Sequence, residues 1–308
     1  MSSHTSNTPR RSFRARVLRA LGRLGLTVVA LVLVASGTVY GLSQRKIASH
    51  HQVPEHALVV KSDSATIAQG ARLATIRGCV DCHGTNMAGK MIIDDPAIGR
   101  LGGANLTNGR TAGLLDDRDW ERAVRHGVRR DGTPLLVMPS NEFTGLSDED
   151  LAAIVAYARS VPAVKQPPLP VELGPVLRAL AVAGQVNVAA DEIDHAKSHP
   201  LHVAAAPTAD YGRYLSEGCK GCHGQGFSGG KIPGAPPEWK PAANITPSGI
   251  GHYSLEDFSR ILRTGRRPDG SAVDSLMPWR AINQMTDVEI EAIYRFLKTV
   301  PARPYGTR

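Results

Sequence analysis

The chain has 308 residues, enough for two ordinary domains, and its 42% apolar content suffices for packed cores although only 5% of residues are aromatic. A formal charge of +8 invites a nucleic-acid reading, but Arg10, Arg11, Arg14, Arg16, Arg19 and Arg23 supply six of those charges, with no acid before residue 44. The remainder carries +2, so no basic surface for nucleic acid is expected.

The first element in chain order is apolar. Leu24 to Gln44 holds no charge, and LGLTVVALVLVASGTVYGL is about long enough to cross a bilayer as one helix. Residues 1–23 then form a basic cytoplasmic N-terminus and 24–44 a transmembrane anchor. Everything after Gln44 is expected across the membrane, in a bacterial periplasm. A cleaved signal peptide is the competing reading, because Ala35, Ser36 and Gly37 follow the apolar centre. Continuation of the apolar run through Val39, Tyr40 and Leu42 favours a single uncleaved span in the inner membrane.

Beyond the anchor the chain repeats at an offset of about 140 residues. RGCVDCHGT at 77 returns as EGCKGCHGQ at 217, NLT at 105 as NIT at 244, and RRDGTPLLVMP at 129 as RRPDGSAVDSLMP at 266. LSDEDLAAIVAYARSVPA at 146 returns as MTDVEIEAIYRFLKTVPA at 285. The expected domains are 62–164 and 207–305, joined by a linker over 165–206.

Each copy opens on a helical stretch ending at a glycine before its first cysteine, and has a middle helix near 117–128 or 254–265. Each closes on a helix whose start carries Ser147 with Asp150, or Thr286 with Glu289, the side-chain pattern that satisfies free amides at a helix start. Leu151, Ile154, Val155 and Ala158, and likewise Ile290, Ile293, Tyr294 and Leu297, share one face. The intervening stretches are rich in Gly and Pro and lack alternation, so an all-α, loop-rich fold without strands is predicted. The linker begins AVKQPPLP, a stiff extended spacer. Residues 171–184 suit a short apolar helix lying between the domains or on the membrane surface. His195, His199 and His202 with Asp191 and Asp194 form a possible metal cluster, although a solvated polar linker explains them as well.

All four cysteines lie in the two Cys-x-x-Cys-His copies, leaving none for a separate disulfide. A structural zinc site needs about four ligands, and a histidine adjoining the second cysteine closes a tetrahedron poorly. A redox dithiol needs a strand-to-helix context, whereas here the helix precedes the motif. Cys-x-x-Cys-His is the attachment signature of c-type haem: two thiols take the porphyrin vinyl groups and the next residue turns its imidazole to the iron. Cys79, Cys82 and His83, and Cys219, Cys222 and His223, are therefore expected to hold two covalently attached haem c groups. A porphyrin also supplies the flat apolar body that so few aromatics leave missing. The second axial ligands are sought among methionine and histidine. Met138 and Met277 lie 55 and 54 residues after their histidines, each before a proline and ahead of the closing helix, and are expected to complete both irons. His126 and His252 lack a histidine in the other copy and read as surface or packing residues.

With these residues identified, each copy resembles a class I cytochrome c. GRYLSEGCKGCHG, NITPSGIGHYSLEDFSRILRTGRRPDG, LMPW and the linker LPVELGPVLRALAVAG resemble the cytochrome c subunits of periplasmic dehydrogenases that oxidise alcohols, aldehydes or gluconate. Those subunits usually carry three haem motifs and this chain has two. The fold so implied is two tandem class I cytochrome c domains behind one transmembrane helix. The resemblance implies an electron relay rather than an enzyme, between a dehydrogenase subunit or quinol-oxidising complex and an oxidase or soluble acceptor. A dihaem peroxidase is the alternative, and the matched Met-Pro loops speak against it. Asn105 and Asn244 are expected near the haem edge, bonding backbone or propionate rather than carrying glycans, with Arg129 and Arg266 as candidate propionate partners.

Overall fold

The computed structural model describes residues 13–109, 114–233, 235–236 and 238–308. The Arg10–Arg11 pair of the basic segment lies outside them. Helix α1 (Phe13–Ile47) carries the apolar run. Over Ala15–Ile47 its most apolar window has a mean hydropathy of 2.0, with none of it buried against the rest of the protein. At 1.5 Å per residue α1 is about 50 Å long, against a hydrocarbon layer of about 30 Å. By length and composition it can cross a bilayer with turns to spare. Its foot carries Arg45 and Lys46.

The first repeat contributes α2 (Ser64–Ile76), α3 (Cys79–His83), α4 (Asp117–His126) and α5 (Asp148–Ser160). In the linker lies α6 (Pro175–Val182). The second repeat contributes α7 (Ala209–Leu215), α8 (Lys220–His223), α9 (Pro247–Ile250), α10 (Leu255–Thr264), α11 (Trp279–Ile282) and α12 (Asp287–Thr299).

Each repeat is held by its first and last long helices crossing at a glycine. A Cβ on Gly70 would sit 1.9 Å from the Ala153 carbonyl oxygen of α5, and one on Gly212 would sit 1.9 Å from that of Ala292 in α12. Only glycine lets the two backbones approach so closely. Around the first crossing Leu73, Leu151, Ile154, Val155 and Ala158 are buried, and around the second Leu215, Ile290, Ile293 and Leu297. Each large side chain there removes about 1.5–3 kcal/mol worth of apolar surface from water. The expected helix starts form. Ser147 accepts from the Asp150 amide, and Thr286 and Glu289 exchange both bonds of a capping box. Val-Pro ends α5 and α12 because proline disfavours helical backbone before it.

The expectation of no strands is corrected. Met91–Asp95 (β1), Gly99–Gly102 (β2) and Val171–Leu173 (β3) form an antiparallel sheet in the order β1-β2-β3. Asp95 turns β1 into β2 by accepting the Ala97 and Ile98 amides, and Gly99 (φ 137°) lies so close to β3 that a Cβ would meet the Glu172 carbonyl at 2.3 Å. The strands are short and the third comes from 70 residues along the chain, so neither alternation nor proximity announces them.

The linker is likewise not a free spacer. Its Pro200 and Leu201 carbonyls accept the Asp148 and Glu149 amides at the start of α5, at 3.0 and 3.2 Å. Helix α6 packs against the foot of α1 and not between the domains: Lys46 Nζ donates to the Ala181 carbonyl at 3.0 Å and Arg178 donates to Ser43 Oγ at 2.9 Å while lying over the Tyr40 ring. It braces the foot of α1.

The repeats meet through equivalent positions. Arg72 on α2 makes a two-pronged bond of 2.6 and 3.0 Å to Glu289, the third residue of α12. Tyr214, which stands two residues after the crossing glycine on α7 as Arg72 does on α2, donates to Asp150, the third residue of α5, at 2.5 Å.

Candidate functional site

Both Cys-x-x-Cys-His motifs sit on single helical turns. In the first, Gly78 (φ 75°) breaks α2 so that α3 can start at Cys79, and Gly84 (φ 75°) ends it directly after His83. In the second, a 3-10 turn over Ser216–Cys219 leads into α8 and Gly224 (φ 80°) ends it. On such a turn residues three and four apart face the same way, so two thiols and an imidazole project to one side. None of the four cysteines is in a disulfide. Burial pushes the Cys79 thiol up to about 12 and Cys219 up to about 11, and raises Cys82 and Cys222 as well. A raised thiol pKa is the opposite of the lowered one that marks a redox dithiol.

The histidines are fixed identically. His83 Nδ1 donates to the Ala104 carbonyl at 2.7 Å, and His223 Nδ1 to the Ala243 carbonyl at 2.7 Å. A carbonyl only accepts, so the proton is on Nδ1 and the Nε2 lone pair is free for a metal. Burial holds both imidazoles below their ordinary pKa, which keeps that lone pair available at neutral pH. The carbonyls are positioned by the residues after them. Asn105 accepts the Thr107 amide at 2.9 Å and hydroxyl at 2.7 Å, and donates to the Val164 carbonyl at 2.7 Å. Asn244 makes the same three bonds, to Thr246 and to the Arg303 carbonyl, at 2.9, 2.7 and 2.8 Å. The duplicated Asn-x-Thr is thus a clip tying the histidine's carbonyl partner to the chain leaving the last helix. Its amide nitrogen is spent on that clip, as the backbone-bonding expectation required. The four-residue match AN[LI]T, alanine included, was the signal for Ala104 and Ala243.

Met138 and Met277 are half-buried against the core, and each begins the same turn. The Ser140 amide bonds the Met138 carbonyl at 2.9 Å and the Trp279 amide the Met277 carbonyl at 2.7 Å, with Pro139 and Pro278 at φ −80° and −79°. Met87 is fully buried, and its counterpart is Phe227, both in left-handed backbone at φ 55° and 59°. It packs in the core where an aromatic stands in the other copy.

Arg129 and Arg266 point elsewhere than to a cofactor. Arg129 donates to the Pro134 carbonyl at 2.5 Å, and its structural counterpart is Arg267, which donates to the Ala272 carbonyl at 2.7 Å. Arg266 bonds the Gly270 carbonyl at 3.1 Å. The extra proline in the second copy shifted the alignment by one residue. The missed arginine is Arg77. Its charge partly opposes the effect of burial at both Cys79 and Cys219. Arg77 stacks over Tyr214 and donates to the Leu215 carbonyl at 3.3 Å, while its Nε and Nη2 are buried without an acceptor among the described residues. Trp120 Nε1 is a second such donor in the first copy. The paired thiols and the imidazole nitrogens turned to the same side fit haem c. The loop after Met138 also touches the second motif across the repeats. Glu142, four residues after Met138, lies so close to Gly221 between Cys219 and Cys222 that a Cβ there would be 2.4 Å from Glu142 Oε1.

Residues 65–157 match the family described as Cytochrome C oxidase, cbb3-type, subunit III, and residues 209–301 the family Cytochrome c. The two matches together take in more than half of the chain, which therefore belongs to the cytochromes c, with two such domains and two covalently bound haem c groups. Among its relatives is the fructose dehydrogenase cytochrome subunit of Gluconobacter japonicus, 26% identical over 93% of this chain and 61% of the relative. The gluconate 2-dehydrogenase cytochrome c subunit of Pantoea cypripedii is 28% identical over 79% of this chain and 61% of the relative. The cytochrome c subunit of the quinone-type alcohol dehydrogenase of Gluconacetobacter polyoxogenes is 29% identical over 79% and 58%. The chain spans about three fifths of the length of these relatives.

Proposed function

We propose that the chain is a membrane-tethered dihaem relay on the periplasmic side of a bacterial inner membrane. It takes single electrons from a dehydrogenase subunit or a quinol-oxidising complex and passes them to a respiratory acceptor. In this reading Cys79, Cys82, Cys219 and Cys222 are thioether anchors, His83 and His223 the proximal ligands, and Met138 and Met277 the distal ones. Haem iron held by histidine and methionine supplies one-electron chemistry at a raised potential.

The residues' share is positional. The Ala104 and Ala243 carbonyls hold each imidazole in one tautomer and orientation, so the ligand need not reorganise when the charge changes. His223 is buried and His83 half-buried, which limits water at both ligands, and the buried Arg77 keeps Nε and Nη2 without an acceptor among the described residues. The contact of Glu142 with Gly221 supports transfer between the centres, because it brings the Met138 loop of one domain onto the attachment motif of the other. The names of the relatives support a dehydrogenase as donor, and α1 supports the tether.

The observation that carries this reading is the duplication, in both copies, of a tautomer-fixed histidine with a Met-Pro turn of the same backbone path. Both irons should be low-spin by electron paramagnetic resonance. Met138→Ala and Met277→Ala should each convert one iron to high-spin and lower its potential in a redox titration. A high-spin iron in the unaltered protein, turning over peroxide, would replace the relay with the peroxidase.

A further inference from the structure

Three side chains outside the haem motifs converge under the linker: Glu121 and His126 of α4, and His199 of the linker. Their ligand atoms lie within 4.8 Å of one another. His126 Nε2 is 3.4 Å and His199 Nε2 3.9 Å from Glu121 Oε1, with side-chain exposures of 1% for the glutamate, 2% for His126 and 12% for His199.

The proton positions follow from the surrounding bonds. His199 Nδ1 faces the Thr144 carbonyl at 2.6 Å and must donate, so its Nε2 is a bare lone pair. His195 Nε2 faces the Ala190 carbonyl at 3.1 Å and must donate, so its Nδ1 accepts. His126 Nδ1, 3.0 Å from that acceptor, is then the donor, which leaves Nε2, turned to the carboxylate, as its ring atom for a metal. Two ring nitrogens and a carboxylate thus face one another. Glu121 Oε2 is buried with no partner among the described residues. Arg125 does not fill the gap: its Nη2 is held by Asp148 and the Leu146 carbonyl at 2.7 Å each, and Nη1 reaches Glu121 only at 3.5 Å. The guanidinium is thus shared between two carboxylates, Asp148 and Glu121, and engages Glu121 only through the longer 3.5 Å contact.

We propose that Glu121, His126 and His199 bind a divalent transition metal of the zinc or copper(II) class, with His195 as the partner that orients His126. Tetrahedral bonds of about 2.0–2.1 Å put neighbouring ligand atoms about 3.3–3.4 Å apart, so the Glu121–His126 edge is already closed, the Glu121–His199 edge needs a movement of about half an ångström, and the third edge, between the two imidazoles, lies within 4.8 Å. Two imidazoles and a carboxylate, each second ring nitrogen bonded outward, suit these metals. The site pins the linker onto the first domain and is separate from both haem motifs.

The test uses the full-length haem-loaded protein in detergent, stripped with chelator, given zinc ion alone and dialysed. Mass spectrometry should find about one zinc for every two irons, and zinc-edge X-ray absorption a nitrogen and oxygen shell at about 2.0–2.1 Å with scattering from two imidazoles. Glu121→Gln and His199→Gln should abolish retention, and His195→Gln should weaken it about 10- to 100-fold with stoichiometry kept. An unchanged haem spectrum certifies the fold of each variant. Failure of the unaltered protein to retain zinc, retention by Glu121→Gln and His199→Gln equal to it, or a zinc shell without imidazole scattering would each overturn the proposal.

Discussion

Replacing Asn105 by alanine removes three bonds at once, those to the Thr107 amide, the Thr107 hydroxyl and the Val164 carbonyl. Each is worth about 1 kcal/mol net, and a buried group left without a partner adds about 1–3 kcal/mol. Thr107 is fully buried, so its amide finds no water in exchange. The expected cost is about 4–6 kcal/mol. Asn244→Ala breaks the same three bonds beside an equally buried Thr246, but its donor bond to Arg303 lies at the surface and water replaces it, so about 3–5 kcal/mol is expected. Asn105→Asp keeps both acceptor bonds and loses only the donor, so it should cost less than Asn105→Ala. The assay is guanidinium unfolding of the haem-loaded chain, followed together by far-ultraviolet dichroism and haem absorbance. The reasoning fails if Asn105→Ala lies within about 0.5 kcal/mol of the unaltered protein, or if Asn244→Ala costs more.

The crossing glycines make a harsher prediction. Gly70→Ala sets a methyl 1.9 Å from a backbone oxygen that cannot swing aside, so loss of about 3 kcal/mol or more is expected, and Gly212→Ala should match it. Urea midpoints read this directly, and an unshifted midpoint would mean that the helices do not cross where placed. The bridge between repeats carries a pH signature. Burial alone would raise the Glu289 pKa, but the Arg72 guanidinium and the Thr286 amide outweigh it and hold the carboxyl below its ordinary value. A depressed folded-state pKa stabilises fully above the unfolded value, about 4.3, and the gain is lost as pH falls through the folded one. Acid unfolding should therefore steepen below about pH 4.3, and Glu289→Gln should flatten that part of the curve in a pH-dependent melting series. Asp148, similarly depressed by Arg125 and His56 against burial, keeps a residual slope.

Local chemistry repeated at a fixed offset was legible in the sequence. The capping residues, the glycine before the first motif and the apolar faces of α5 and α12 act within one or two helical turns and formed as the pattern implied, whereas α7 ends at Leu215 and a 3-10 turn runs through Gly218 to Cys219. Two cytochrome c domains were legible for the same reason. Long-range features were not. Strand β3 pairs with β2 across about 70 residues of intervening chain, and α6 finds its partner on α1 at a separation of 135 residues. His126 illustrates the difficulty. Alone it reads as a packing histidine, and only the linker's return over α4 brings His195 and His199 to it, whereas Asp191 pairs with His51 at 3.3 Å and His202 with Glu149 instead. The histidine spacing in the linker hinted at a cluster, but half its members came from elsewhere.

The two attachment motifs differ at one telling position. Where the first has Asp81, the second has Gly221, and Glu142 of the other repeat occupies the space. Burial raises the Glu142 pKa, the mark of a carboxylate already short of water. Alanine at 221 should cost little, because the flexible end of Glu142 can give way. Aspartate sets a second carboxylate beside it. Two unit charges about 4 Å apart repel by about 4 kcal/mol at an effective dielectric of 20, which access to water at Gly221 reduces to about 1 kcal/mol. A double-mutant cycle separates this repulsion from the loss of glycine: Gly221→Asp should be rescued by Glu142→Gln by about 1 kcal/mol at neutral pH. If the Glu142 contact couples the two haems, intramolecular electron transfer after flash reduction should slow in Gly221→Asp and recover in the double variant. A coupling energy below about 0.3 kcal/mol would mean that the charges do not meet. Recovery of stability without recovery of rate would detach this contact from the electron's route.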